Sequence, residues 1–250
     1  MPGTLYVVAT PIGNLGDLSA RAVEVLRTAE LIAAEDTRHT RILLARHGIT
    51  TPMTSFYDAI ERHKTPELIA KLRAGAWIAL VSDAGTPGIA DPGGYLVPQV
   101  IAAGIPVVAI PGPCAALAAL VVSGLPMERF VFEGYLPVKA GKLRRQLESL
   151  RGEGRTIVCY ETPHRLLKHL AAIREILGDI SMSVARELTK HFEEIRRGVV
   201  SEHLAHFQRH PPKGEFVLVF RAEVRTPWLL HAPGAPGPGQ AGGGCRNPSP

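Results

Sequence analysis

Along the first half of the chain, short apolar and β-branched runs alternate with helical periodicities, and each run stops at a cluster of small and turn-forming residues. Thr4–Ala9 breaks at Pro11-Ile12-Gly13-Asn14, and Leu31–Ala34 at Glu35-Asp36-Thr37. Trp77–Val81 breaks at Ser82-Asp83-Ala84-Gly85-Thr86-Pro87, and Pro106–Ile110 at Pro111-Gly112-Pro113. Helical patterns occupy 39–47, 60–73, 94–103 and 114–123, and Asp17 or Ser19 caps a further helix running through Leu26. Strands and helices in alternation predict an α/β layer with a largely parallel sheet. The same pattern fixes where ligands go. Loops that follow parallel strands gather along one edge, and ligands bind beyond the carboxyl ends of the strands.

The second half changes character. Phe130–Tyr135, Thr156–Tyr160, Met182–Arg186, Ile195–Val199 and Phe216–Phe220 read as strands, with helices at Leu143–Leu150 and Leu166–Leu177. Several of these strands follow one another without a full helix between them, which predicts a mixed sheet. The expected organisation is an α/β domain over 1–127, a mixed-sheet α/β domain over 128–225, and a disordered tail over 226–250. The tail holds six Gly and six Pro without an apolar period. Such a segment buries too little surface to offset the entropy of ordering it.

Composition narrows the function. Of 250 residues, 46% are hydrophobic and 20% charged, ordinary for a folded globular chain and incompatible with wholesale disorder. No apolar run reaches the roughly 18 residues of a membrane span, and Met1-Pro2-Gly3 leads straight into a strand rather than a signal sequence. No membrane association and a cytoplasmic location are therefore expected. Cys114, Cys159 and Cys245 are three, far apart, and match neither a disulfide framework nor a zinc spacing. A net charge of +5 and a pI of about 9.3 favour a polyanionic partner.

Several sites of known pattern are disfavoured. Gly13 and Gly16 with Glu35-Asp36 downstream imitate a dinucleotide site, but the G-x-G-x-x-G fingerprint is absent. No phosphate-binding loop of the nucleoside triphosphatase type occurs. His203, His206 and His210 share one face of a possible helix beside Glu202. Surface histidines on an amphipathic helix explain that spacing better than a metal, and no metal is expected. The run Lys139, Lys142, Arg144, Arg145 opens a helix, where cations oppose the helix dipole. An external phosphate chain would offset that repulsion, so this segment is expected to contact RNA, with Arg38 and Arg41 extending the basic surface.

Read together, LYVVATPIGNLGDLSARA, AEDTR, VSDAGTPGIADPG, IPGPCAA, FEGYLPVK, ETPHRL, ARELTKHFEE and KGEFVLV follow in one order over most of 4–220. Eight motifs in register resemble the bacterial 16S rRNA (cytidine-2′-O) ribose methyltransferases of the tetrapyrrole methylase superfamily. The resemblance implies two αβα domains with S-adenosylmethionine in the cleft between them. It implies a methyl acceptor at the ribose 2′-oxygen of a cytidine in the decoding region, on 16S rRNA in the 30S subunit, and a homodimeric enzyme. Carried over by motif, the cofactor would contact Pro11, Asp83, Ala84, Gly85, Thr86, Cys114 and Ala115 from the first domain. Tyr160, Leu188, Gly214 and Glu215 would close over it from the second.

A ribose hydroxyl needs somewhere for its proton to go, so a base nearby is expected. Lys190 and Glu187, three apart in RELTK, are the first candidates for that role, with Glu161 and Asp36 behind them; Arg38 and Arg165 would hold phosphate. Lys190 and Glu187 are equally readable as a structural ion pair. Two other classes remain open: methylation of a tetrapyrrole or a protein side chain, and a non-catalytic RNA- or nucleotide-binding scaffold.

Overall fold

The computed structural model describes residues 2–222. Strands β1 (Thr4–Val8), β2 (Leu31–Ala34), β3 (Met53–Ser55), β4 (Trp77–Val81) and β5 (Val107–Ile110) form one sheet in the order β3-β2-β4-β1-β5. All its pairings are parallel. Strands β6 (Phe130–Tyr135), β7 (Thr156–Glu161), β8 (Ser181–Arg186), β9 (Glu194–Val199) and β10 (Phe216–Phe220) form a second, ordered β6-β7-β10-β8-β9. Here only β6 and β7 run parallel; the other neighbours are antiparallel. The molecule is thus α/β, with two sheets each covered by helices on both faces. Strand β3 was not expected; three residues on a sheet edge leave no periodicity to read.

Helices begin where the sequence supplies caps. The Ser19 hydroxyl accepts the Ala22 amide at 3.1 Å and starts α1 (Ala20–Thr28); Asp36 accepts the Arg38 amide at 2.8 Å and starts α2 (Thr37–Arg46). On one face of the first sheet these two bury Ala22, Leu26, Leu43 and Leu44 against Val8 and Ile32. On the other, α3 (Asp58–Arg73) and α4 (Leu96–Ala102) bury Leu68, Leu72, Leu96 and Val100 against Leu5 and Leu80. Each such side chain contributes roughly 1.5–3 kcal/mol when fully buried.

The second sheet divides its residues between two cores. Ile157, Cys159, Leu218 and Phe220 pack beneath α6 (Ala140–Leu150), α7 (Pro163–Leu177) and α8 (Val200–Arg209). The alternate residues Val158, Val217 and Val219 pack against Ala116, Ala119 and Leu120 of α5 (Ala115–Val122). This follows from the period of two along a strand. Helix α5 follows the last strand of the first sheet yet lies on the second, so it joins the halves. The Arg197 guanidinium adds a bond from its Nε to the Val122 carbonyl at 3.1 Å. Among the described residues no helix is long and apolar enough to cross a membrane. The tail expected over 226–250 lies outside the described residues.

Candidate active site

Hydroxyls and glycines lace the loops at the carboxyl edge of the first sheet. Thr10 and Gly85 exchange main-chain bonds of 2.8 and 3.0 Å, and the Thr10 hydroxyl donates to the Ser82 carbonyl at 3.2 Å. The Thr86 hydroxyl reaches the Pro113 carbonyl at 3.0 Å, tying the β4 loop to the β5 loop. Gly85 has φ +82°, a left-handed conformation that side chains disfavour, and its position leaves the backbone bare.

Over this edge lies a cavity of about 260 Å³ bounded by both sheets. Its first wall comes from the loops just described: Ile12, Glu35, the run 83–86, Ile89, Asp91 and Ala115. Its second wall comes from the other sheet, with Tyr135, Tyr160, Glu161, Ala185, Glu187, Leu188, Lys190, Glu215, Phe216 and Val217. Tyr160 bridges the two. Its hydroxyl accepts the Ala116 amide at 3.3 Å, while its ring meets Tyr135 edge-on with centroids 5.6 Å apart.

Charge divides the walls. On the first, Glu35 Oε2 accepts the Asp83 amide at 3.1 Å and Asp83 Oδ1 accepts the Asp36 amide at 3.0 Å. Burial pushes the Glu35 carboxyl up, and the neighbouring Asp83 charge adds to this against the amide bond that opposes it. Asp91 is pushed up to about 7, first by burial and then by the Glu35 charge, with a bond from the Ser82 hydroxyl opposing. On the second wall, Lys190 Nζ lies 2.8 Å from both Glu187 Oε1 and Glu215 Oε2. Partial burial pulls the Lys190 ammonium down, but those two carboxylates outweigh it and hold it above the usual lysine range. Glu187 is displaced the opposite way: burial raises it, and Lys190 with the Glu215 amide brings it below its ordinary value. Glu161 is buried, paired with His169 and 3.4 Å from Arg165 Nε, and Arg165 stands over the Tyr135 ring.

The placement of the expected residues follows directly. Asp83, Ala84, Gly85, Thr86, Ala115, Tyr160, Leu188 and Glu215 line the cavity, as do Lys190, Glu187 and Glu161. Pro11 does not: it borders a small recess with Thr10 and His39. Cys114 and Gly214 are also off the lining. Cys114 caps α5 without a side-chain bond, and Gly214 backs closely onto the Glu187 carboxyl. Lys190 sits in the ion pair with Glu187 that RELTK equally allowed, with Glu215 as a second carboxylate on its ammonium. Arg38 is salt-bridged to Asp36 at 2.7 Å, which holds Asp36 well below the carboxylate range and unsuited to basic catalysis. Lys139, Lys142, Arg144, Arg145 and Arg41 are all exposed, and Arg144 pairs with Glu175 of α7. His203 is buried with Nε2 3.1 Å from the Met182 carbonyl, and His206 stacks on His210.

Sequence reading missed Glu35, Asp91, Ile12, Ile89, Tyr135, Ala185, Phe216 and Val217 as lining residues. The signal for Asp91 was present in ADPG, a carboxylate set beside Pro and Gly on an edge loop.

The resemblance implies S-adenosylmethionine, which combines a flat purine with a sulfonium cation, and the cavity suits both. Ile12, Ala115, Leu188 and Val217 offer an apolar slot, and the acids of the first wall offer a field for a cation. Residues 4–203 match the family model for tetrapyrrole (corrin/porphyrin) methylases. The chain is 55% identical over 218 residues to the ribosomal RNA small subunit methyltransferase I of Synechocystis sp., covering 87% of this chain and 78% of that protein. The chain belongs to that methyltransferase family.

The family member of Thermotoga maritima is 46% identical over 217 residues, 87% of this chain and 97% of its own. Among solved structures, a uroporphyrin-III C-methyltransferase of Thermus thermophilus complexed with S-adenosyl homocysteine superposes with a TM-score of 0.63 at 18% identity, covering 88% of this chain and 98% of that one. The ribosomal RNA small subunit methyltransferase I family thus shares the tetrapyrrole methylase fold.

Proposed function

We propose that the protein transfers a methyl group from S-adenosylmethionine to the ribose 2′-oxygen of a cytidine in the decoding region of 16S rRNA, within the 30S subunit. The observation that carries the reading is the acid-walled cavity between two sheets in a chain whose surface is basic. A cationic methyl donor is drawn inside, while a polyanionic acceptor is drawn to the outside. When bound, S-adenosylmethionine supplies an electrophilic methyl on a positively charged sulfur. The first wall attracts that charge, and the apolar residues of both walls exclude water from it. Alignment is the larger part of such a displacement, and the laced loops provide it.

Exposed Lys139, Lys142, Arg145 and Arg41 meet phosphates, and Arg165, fixed by Glu161, stands at the cavity beside Tyr135. We also assign a homodimer and a cytoplasmic site of action. Support for the dimer comes from α5, apolar all round, whose Leu117 and Val121 remain 48% and 60% exposed. The test uses 30S subunits from a strain lacking the modification, incubated with protein and S-adenosylmethionine, their RNA digested and analysed by mass spectrometry. A new 2′-O-methylcytidine is expected; its absence, with free 16S rRNA tested alongside, would refute the assignment.

A further inference from the structure

We propose that Asp91 takes the proton from the hydroxyl being methylated, an inference that rests on the methyl-transfer reading above. Three carboxylates line the first wall, and they are not equivalent. Glu35 and Asp83 each accept a main-chain amide, so each is committed to holding a loop end. Asp91 accepts no main-chain amide among the described residues, and the neighbouring Ser82 hydroxyl, which donates to the Ala84 carbonyl at 3.4 Å, can turn toward it. It is free to change protonation without releasing a loop.

The backbone delivers this side chain deliberately. Gly88, Ala90 and Gly93 all take positive φ, at 83°, 64° and 123°, and Ala90 does so without a glycine's freedom. Beyond Asp91, Glu61 Oε1 on α3 accepts the amides of Gly93, Tyr95 and Leu96, each at 3.0 Å. The turn carrying Asp91 is therefore pinned from beneath.

Charges around the cavity favour the same assignment. Glu35, Asp83 and, farther off, Asp58 all press on Asp91 with negative charge. From the second wall it faces the phenols of Tyr135 and Tyr160, kept neutral by burial. Lys190, across the cavity, is already neutralised by Glu187 and Glu215. With no cation of its own, Asp91 ionises fully when a positive charge enters the cavity, and recovers its affinity for a proton when that charge is gone. Methyl transfer creates that sequence. The hydroxyl O–H bond breaks and its proton passes to Asp91 Oδ; the oxygen bonds to the methyl carbon, and the carbon–sulfur bond breaks to leave a neutral thioether.

Two measurements on Asp91→Asn and the unaltered protein decide this. Calorimetry near pH 7, in buffers of different ionisation enthalpy, follows proton exchange on binding. The unaltered protein is expected to release protons with S-adenosylmethionine, fewer with S-adenosylhomocysteine, and the variant fewer with either. Turnover on unmodified 30S subunits should fall about 100- to 10,000-fold in the variant, with donor affinity retained within about tenfold. The rise of kcat/KM for the donor across neutral pH, expected of the parent, should be lost in the variant. A variant keeping more than about a tenth of the turnover, or releasing as many protons as the parent, would overturn the assignment. If the parent methylates no RNA while its proton release still depends on Asp91, the substrate reading fails and Asp91 stands as the proton-exchanging group.

Discussion

Glu35, Asp83 and Asp91 on the first wall of the cavity share no salt bridge with any cation among the described residues, whereas across the cavity each acid is answered. Glu187 and Glu215 grip Lys190, and Glu161 is held by His169 and Arg165. A carboxylate that is already paired stabilises the fold and resists titration; one left without a cation keeps its field for a ligand. The first wall is therefore built for charge that arrives, and the second for shape. The difference traces to topology. Parallel strands present all their carboxyl ends on one edge, crowding acids there, while the mixed second sheet meets the cavity through residues of β6, β7, β8 and β10 and the turn after β8.

Glu61, a carboxylate of α3 that is 8% exposed, supports the first wall from behind. Glu61→Ala leaves three amides without their acceptor, and a destabilisation of about 2–4 kcal/mol is expected in denaturant titration. Turnover should fall with it, since the Asp91 turn loses its anchor. Stability unchanged within about 0.5 kcal/mol would mean that the first wall is not preorganised.

A smaller effect separates the walls by pH. Asp91 has a folded-state value near 7, above that of an unfolded carboxyl. Between about pH 4 and 7 the native protein thus holds a proton that the unfolded chain has released, and stability falls as pH rises through that window. Asp91→Asn removes the cost. The variant should be more stable than its parent at pH 8, by about 1–2 kcal/mol once solvent screening is allowed for, and equal to it near pH 4.5. Equal stability at both values would place Asp91 in water rather than in the cavity.

How much of this could be read in the chain depends on what fixed each residue. Both sheets' long strands were legible because β-branched runs and turn clusters are local signals, and the edge loops followed from parallel topology. Asp83 to Thr86 were legible through the resemblance. Asp91 was not, because its direction is set by three left-handed residues and by Glu61, thirty residues upstream in the sequence. The pairing of Arg144 was hidden for a related reason: its partner Glu175 lies on another helix, and a charge run read alone looks unpaired. Lys190 stood open between base and ion pair for the same reason, since its second partner Glu215 comes to it from just before β10.

Lys190 offers the mildest and sharpest contrast. In this structure it is a staple. Gly13 of the first loop packs against its aliphatic stem so closely that a Cβ there would collide, and the Asn14 amide bonds the adjacent Thr189 hydroxyl at 3.1 Å. Glu187 and Thr189 hold positive φ at 49° and 66°, so the segment is bent to reach across. Replacing Lys190 with Met keeps much of the stem that packs on Gly13 and removes only the charge. Turnover should drop less than about tenfold, a cost under about 1.4 kcal/mol, and the rise across neutral pH should persist, displaced to slightly higher pH by the added negative charge. The acids Glu187 and Glu215, no longer neutralised, add negative potential, which favours a cationic donor and offsets part of the loosened contact. A thousandfold loss with the rise across neutral pH erased would instead make the second wall the seat of the chemistry, because only a residue that exchanges the proton itself can remove that limb of the profile.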